Sequence, residues 1–238
     1  MCDSCGCDNH EHEPHQEPTH ENPKRVPVVE RILNANDRAA AGNREHLAAH
    51  GITAFNIMSS PGAGKTTLLM ATIAALGDRV RLGVIEGDTA SQVDAETIAT
   101  TGTPVVQINT GGGCHLDAPM VHQALHELPL DELDVIFIEN VGNLICPVSF
   151  DLGQDWKVGL ISVPEGHDKP YKYPGIFEAV DVVVVTKADL LPYLDFDVET
   201  FKRLVHGLNA RAPVLVLSAK TGEGMETWLN WVEERLAT

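Results

Sequence analysis

The chain has 238 residues, with 34 acidic against 17 basic side chains and a net charge of −17. That charge repels nucleic-acid phosphates and anionic membranes, so no nucleic acid and no membrane is expected as a partner, and no apolar run approaches the roughly 18 residues that span a bilayer. The N-terminus is polar and acidic where a secretory leader is basic and then apolar, so the expected compartment is cytoplasmic, where thiols stay reduced and clustered cysteines point to metal rather than disulfide.

Residues 1–25 hold Cys2, Cys5 and Cys7 together with His10, His12, His15 and His20 among Asp, Glu, Asn and Pro, with almost nothing apolar to bury. This composition predicts a disordered metal-binding tail. Three thiolates within six residues of sequence, near an α-amine, suit square-planar Ni(II). Residues 26–51 read as a helical lead-in, loosened around Gly42 and ended by Gly51. From residue 52 to 238, seven apolar β-rich runs (ITAFNIM, VRLGVIEG, PVVQINT, DVIFIEN, KVGLISV, VDVVVVTKAD and PVLVLSA) alternate with helical segments. Continuous apolar strands between helices predict one α/β domain, a mostly parallel sheet covered by helices on both faces, with ligands at the carboxyl ends of the strands.

The loop after the first run is SSPGAGKTT, residues 59–67, followed by a helical stretch. It reads as a Walker A loop with Ser59 in place of the usual first glycine. The backbone around Gly62, Ala63, Gly64, Lys65, Thr66 and Thr67 is expected to wrap phosphates, with Lys65 on the β and γ oxygens and the Thr66 hydroxyl on Mg2+. Thr186-Lys187-Ala188-Asp189 closes the sixth run as a guanine motif. The Asp189 carboxylate can accept from N1–H and the 2-amino group of guanine, a donor pair that adenine lacks, while the Lys187 stem lies across the base. Thr186 stands where Asn is commoner, so a weaker tether between base loop and phosphate loop is expected. Ser218-Ala219-Lys220 follows the seventh run as a third base-contacting loop. The chain therefore reads as a single P-loop GTPase domain binding GTP and GDP. Glu139 at the end of the fourth run is the candidate magnesium second-shell carboxylate, Gly142 the candidate neighbour of the γ-phosphate, and Asp88 the candidate for positioning the attacking water, with slow turnover expected because no Gln follows Gly142.

A second chemistry sits beside the first. Gly111-Gly112-Gly113 precedes Cys114-His115, and a glycine-rich loop is what lets two adjacent side chains turn toward one ion. Cys146 lies four residues past Gly142 and supplies a third ligand. A water or a second copy of the chain can close a four-coordinate site for Ni2+ or Zn2+.

Taken in order, SSPGAGKTT, EGD, GGGCHLD, ENVGNLICP, TKADL and SAKTGEG resemble HypB, the nickel-incorporation GTPases of nickel–iron hydrogenase maturation in the metallochaperone branch of the SIMIBI class, over residues 28–238. The resemblance implies a homodimer dependent on GTP, on metal or on both, with Cys114, His115 and Cys146 holding nickel or zinc at its interface. It implies a HypA-type nickel protein, the hydrogenase large subunit and a SlyD-type chaperone as partners, and the Cys2, Cys5, Cys7 cluster resembles the tight nickel site of some members. Two other readings stay open: a GTPase chaperone of the urease-accessory type, and a nickel or zinc buffer whose dimerisation nucleotide regulates.

Overall fold

The computed structural model describes residues 28–89 and 92–236. The expected tail, with Cys2, Cys5 and Cys7, lies outside the described residues. Helix α1 (Val28–Ala49) leads into β1 (Thr53–Ser59), α2 (Lys65–Leu76), β2 (Leu82–Asp88), α3 (Val93–Ala99), β3 (Val105–Asn109), α4 (Ala118–Leu125) and β4 (Val135–Glu139). The second half continues through β5 (Trp156–Ser162), α5 (Lys169–Lys172), α6 (Pro174–Ala179), β6 (Val182–Thr186), α7 (Val198–Leu208), β7 (Val214–Val216) and α8 (Met225–Leu236). Each of the seven strands falls on one of the seven apolar runs, with β1, β2 and β5 reaching one residue beyond theirs. They form one sheet in the order β3-β2-β4-β1-β5-β6-β7, and every pairing is parallel.

Alternate side chains leave a strand on opposite faces, and here both faces are buried. Phe55, Ile57, Val182 and Val184 join a core with Leu68, Leu69, Ile98 and Trp228 from α2, α3 and α8. Ala54, Ile85, Ile136 and Ile138 pack on the other face with Leu47 of α1 and Val121 and Leu125 of α4. Met58, Val183 and Val185 pack on that face with Ile176, Phe177, Phe201 and Val205 of α6 and α7. Order reverses at β1, whose neighbours are β4 and β5, so the loop after β1 sits at the topological switch where ligands bind.

Helix α1 corrects one expectation: it runs unbroken through Gly42 for 22 residues. Its buried positions Asn36, Ala40, Asn43 and Leu47 recur at helical spacing, and tertiary packing along that stripe outweighs the roughly 1 kcal/mol that a mid-helix glycine costs. Asn36 accepts from the Ala118 backbone N–H at 2.8 Å and donates to the Asp151 carbonyl at 2.7 Å. Asn43 donates to the carbonyls of Ala118 and Leu152, each at 2.9 Å. Thus α1 pins the start of α4, just beyond Cys114 and His115. No helix among the described residues is long and apolar enough to cross a membrane.

Candidate functional site: a nucleotide cleft beside a thiol–imidazole cluster

The phosphate loop is shaped by Gly62 and Gly64, both at positive φ, which an L side chain rarely adopts. Lys65 opens α2, and its ammonium lies 3.3 Å from Ser59 Oγ and 3.9 Å from Glu139 Oε1. Thr66 Oγ1 donates to the same Glu139 oxygen at 2.9 Å. Lys65, Thr66 and Glu139 are therefore one cluster, formed where β1 and β4 lie side by side. The segment after β4 closes over it: a Cβ on Gly142 would stand 2.9 Å from Pro61 Cα, so only glycine permits this approach.

Pro61, Gly62, Lys65, Glu86, Asp88, Asp94, Glu139 and Gly142 line a cleft of about 290 Å³ on this side. Asp88 stands at its mouth, its carboxylate accepting from the Thr89 N–H and hydroxyl. The sequence places Glu86 at a carboxyl-bearing strand end pointing at this site but gives it no role of its own. It is 2% exposed, and burial, reinforced by the carboxylates of Glu139, Asp88 and Asp94 against the pull of Lys65, pushes its pKa up to about 8. Burial likewise raises Glu139 to about 7, opposed by Lys65 and by the Thr66 hydroxyl. Glu86 Oε2 and Glu139 Oε2 are both buried without a hydrogen-bond partner. The EGD spelling held the only sequence signal: Asp88 reaches the rim, and two residues earlier on the same strand Glu86 faces the same side.

On the other side of the phosphate loop, Gly64, Thr67, Thr186, Lys187, Asp189, Ser218, Ala219 and Lys220 line a pocket of about 310 Å³. Ser218 Oγ donates to Asp189 Oδ1 at 2.6 Å, which orients the carboxylate. Thr186 corrects a second expectation. Its hydroxyl donates to the Ala63 carbonyl at 2.6 Å, so the tether between base loop and phosphate loop is present and short. Lys187, held at φ 59, adds a 2.7 Å bond from its ammonium to the Gly62 carbonyl.

Cys114, His115 and Cys146 present ligand atoms all within 4.8 Å of one another. Gly111 and Gly112 both take positive φ, and this turn lets the neighbouring Cys114 Sγ and His115 Nδ1 come to 3.5 Å. The His115 ring lies 3.9 Å from the Phe150 ring, centroid to centroid. Its pKa is lowered by burial, which keeps the imidazole in the neutral form that ligates metal. The Cys114 thiol is raised, first by its hydrogen bond with Cys146 and then by burial; a bound cation would favour both thiolates instead. Cys146 opens a short 3-10 turn, Cys146–Ser149, and its N–H points to Asn143 Oδ1 at 3.4 Å.

Asn140 joins the two clusters, a role unforeseen from the sequence. Wholly buried, it accepts from the N–H groups of Leu116 at 3.1 Å and Val141 at 3.0 Å and donates to Asn56 Oδ1 at 3.2 Å. The chain just after His115 is thereby bonded to the residue just after Glu139.

The model of the family described as CobW/HypB/UreG, nucleotide-binding domain, matches residues 53–216. The hydrogenase maturation factor HypB of Escherichia coli K12 is 51% identical over 202 residues, covering 85% of this chain and 70% of the relative. A crystal structure of HypB from Archaeoglobus fulgidus superposes with a TM-score of 0.80 at 40% identity, covering 85% of this chain and 99% of that one. HypB from Helicobacter pylori, solved in complex with nickel, gives 0.82 at 38% identity, covering 85% and 95%. The glycine-shaped P-loop and these matches lead to one assignment: the chain belongs to the HypB hydrogenase maturation factors of the CobW/HypB/UreG family of nucleotide-binding proteins.

Proposed function

We propose that this chain is a GTP-hydrolysing metallochaperone that carries nickel on Cys114, His115 and Cys146 and releases it for hydrogenase maturation as nucleotide turns over. The observation that carries the reading is the continuity of one short segment. It starts at Glu139, which bonds Thr66, passes Gly142 against Pro61, and reaches Cys146 in the thiol–imidazole cluster.

GTP binds with its base on Asp189 and Lys187 and its phosphates in the loop of residues 59–67. The half-buried Asp189 carboxylate finds two donors on guanine and none such on adenine, which sets the preference. Lys65 exchanges its contact with Glu139 for the β- and γ-phosphate oxygens. Thr66 and Glu139, with Glu86 nearby, suit magnesium, because two buried carboxylate oxygens there lack partners and hard oxygen donors match a hard cation. When bound, magnesium would neutralise charge on the transferring phosphoryl group. Asp88 orients the water whose oxygen attacks the γ-phosphorus. The bond to the bridging oxygen breaks, GDP leaves with the electron pair, and the water's proton passes to phosphate. Few groups orient that water, so turnover is slow.

The metal is cargo. Two sulfurs and an imidazole suit nickel or zinc over magnesium, and the similar nickel-bound relative supports nickel. Three ligands leave coordination open, and Ile145, 65% exposed beside Cys146, offers an apolar contact for a second copy. A homodimer closing over this face would complete the site, with a HypA-type nickel protein, a SlyD-type chaperone and the hydrogenase large subunit as successive partners in the cytoplasm.

The test is the nickel Kd of the intact chain with a non-hydrolysable GTP analogue and with GDP, beside Lys65→Ala and Cys146→Ser. A nucleotide-dependent Kd that Lys65→Ala abolishes is expected, since linkage makes the coupling reciprocal. Equal affinity in both nucleotide states would overturn the proposal.

A further inference from the structure

Helices α1 and α4 lie side by side on the sheet face that carries the Cys114 loop, and their outer surfaces carry four histidines. His46 on α1 and His50, just past its end, are four residues apart; His122 and His126 are four residues apart on α4 and its C-cap. Their rings form a closed group: His122 to His126 is 4.7 Å between centroids, His46 to His50 5.2 Å, and His46 to His126 5.3 Å.

We infer that His46, His122 and His126 form a surface site for a borderline divalent transition metal such as Zn2+ or Ni2+, separate from the thiol-containing cluster. One ring nitrogen from each comes within 4.8 Å of the others. The His122 and His126 Nε2 atoms are 3.3 Å apart. Two nitrogens bound at about 2.0–2.1 Å to one tetrahedral zinc stand about 3.3 Å apart.

The tautomer of His122 follows from its neighbour. Asn43 spends its amide N–H groups on the carbonyls of Ala118 and Leu152, so its Oδ1 can only accept. It faces His122 Nδ1 at 2.9 Å, which makes Nδ1 the protonated nitrogen and leaves the Nε2 lone pair directed at His126. A histidine whose second nitrogen is held by a buried amide is the arrangement that orients metal ligands. His46 has its pKa lowered by burial and then by the three surrounding imidazoles, so it too is neutral and ready to bind. His50 gives Nδ1 to the His46 carbonyl at 3.0 Å and turns Nε2 toward Asp131 at 3.5 Å, which puts a carboxylate at the border of the adjoining cleft.

Because the chain has thiols and further histidines elsewhere, the test must resolve single residues. The full-length protein is treated with diethyl pyrocarbonate with and without Zn2+ alone, and modification at each histidine is read by peptide mass spectrometry. Zinc is expected to slow modification of His46, His122 and His126 at least several-fold. His126→Gln, an exposed change that leaves the fold intact, and independently His46→Gln should abolish the protection of His122, whereas Cys114→Ser should leave it. Unprotected His122 in the intact chain, protection that survives both histidine changes, or protection lost in Cys114→Ser would each overturn the site.

Discussion

Asn140 accepts a hydrogen bond from the backbone N–H of Leu116 at 3.1 Å. A residue that follows Glu139 of the nucleotide cleft thereby holds the chain that follows His115. Gly87, at the end of β2, packs so closely on the Leu116 side chain that an added Cβ would lie 2.7 Å from it. Leu116 is thus gripped by the ends of β2 and β4, so under the proposed function a shift of β4 with bound nucleotide would reach the Cys114–His115 turn through it.

Replacing Asn140 by Ala leaves the Leu116 N–H buried without its partner, at a cost of about 1–3 kcal/mol in stability. GTP should still bind, because Asn140 is not itself among the residues that line either pocket. Nickel affinity should then stop responding to the change from GTP analogue to GDP. Isothermal titration of nickel into both nucleotide states checks this, and a difference equal to that of the parent chain would count against the Asn140 link.

Asp189→Ala removes the acceptor of two guanine donors. At about 1.5–3 kcal/mol for each bond to a charged group, GTP affinity should fall by roughly a hundredfold or more. Ser218→Ala, which removes the bond that orients Asp189 and the one its hydroxyl accepts from the Thr221 N–H, should lose about tenfold or less. Fluorescent GDP titrations separate the two, and equal losses would show that Ser218 acts on the base directly.

Gly142→Ala drives a methyl into Pro61. The change should slow GTP hydrolysis by at least about tenfold, which corresponds to roughly 1.4 kcal/mol. Since Gly142 lies outside the pocket around Asp189, GDP affinity should move little. Single-turnover hydrolysis beside a GDP titration checks it; a loss of GDP affinity as large as the loss of rate would refute a role confined to the γ-phosphate side.

Glu86 and Glu139 titrate upward, to about 8 and about 7, from an ordinary value of 4.5. Between those limits the folded chain binds more protons than the unfolded one, so the stability of the nucleotide-free protein falls as pH rises. The contribution is fully present below about 4.5 and is lost by about 8. Glu86→Gln, which keeps the shape without the charge, should flatten the decline and raise Tm at pH 8. Tm measured without nucleotide from pH 5 to 8 tests it, and a Tm that rises over that range in the parent chain would contradict the prediction.

The motifs were legible in the sequence because their residues are neighbours along the chain. A phosphate loop, a TKAD strand end or a Cys-His pair carries its chemistry wherever a strand delivers it, and the seven apolar runs that deliver them follow from burial on both sheet faces. Tertiary structure decided what depends on partners distant in sequence. Helix α1 ignores Gly42 because Asn43 finds Leu152, 109 positions away. Thr186 tethers the phosphate loop because its hydroxyl meets Ala63, 123 positions away. Glu86 becomes a raised carboxyl only when β2 lies beside β4, and His46 joins His122 and His126 only when α1 packs on α4. Local spelling determined which chemistries the chain carries; the packing of distant segments determined that they share residues, because burial, tautomer and coupling are properties of neighbours in space.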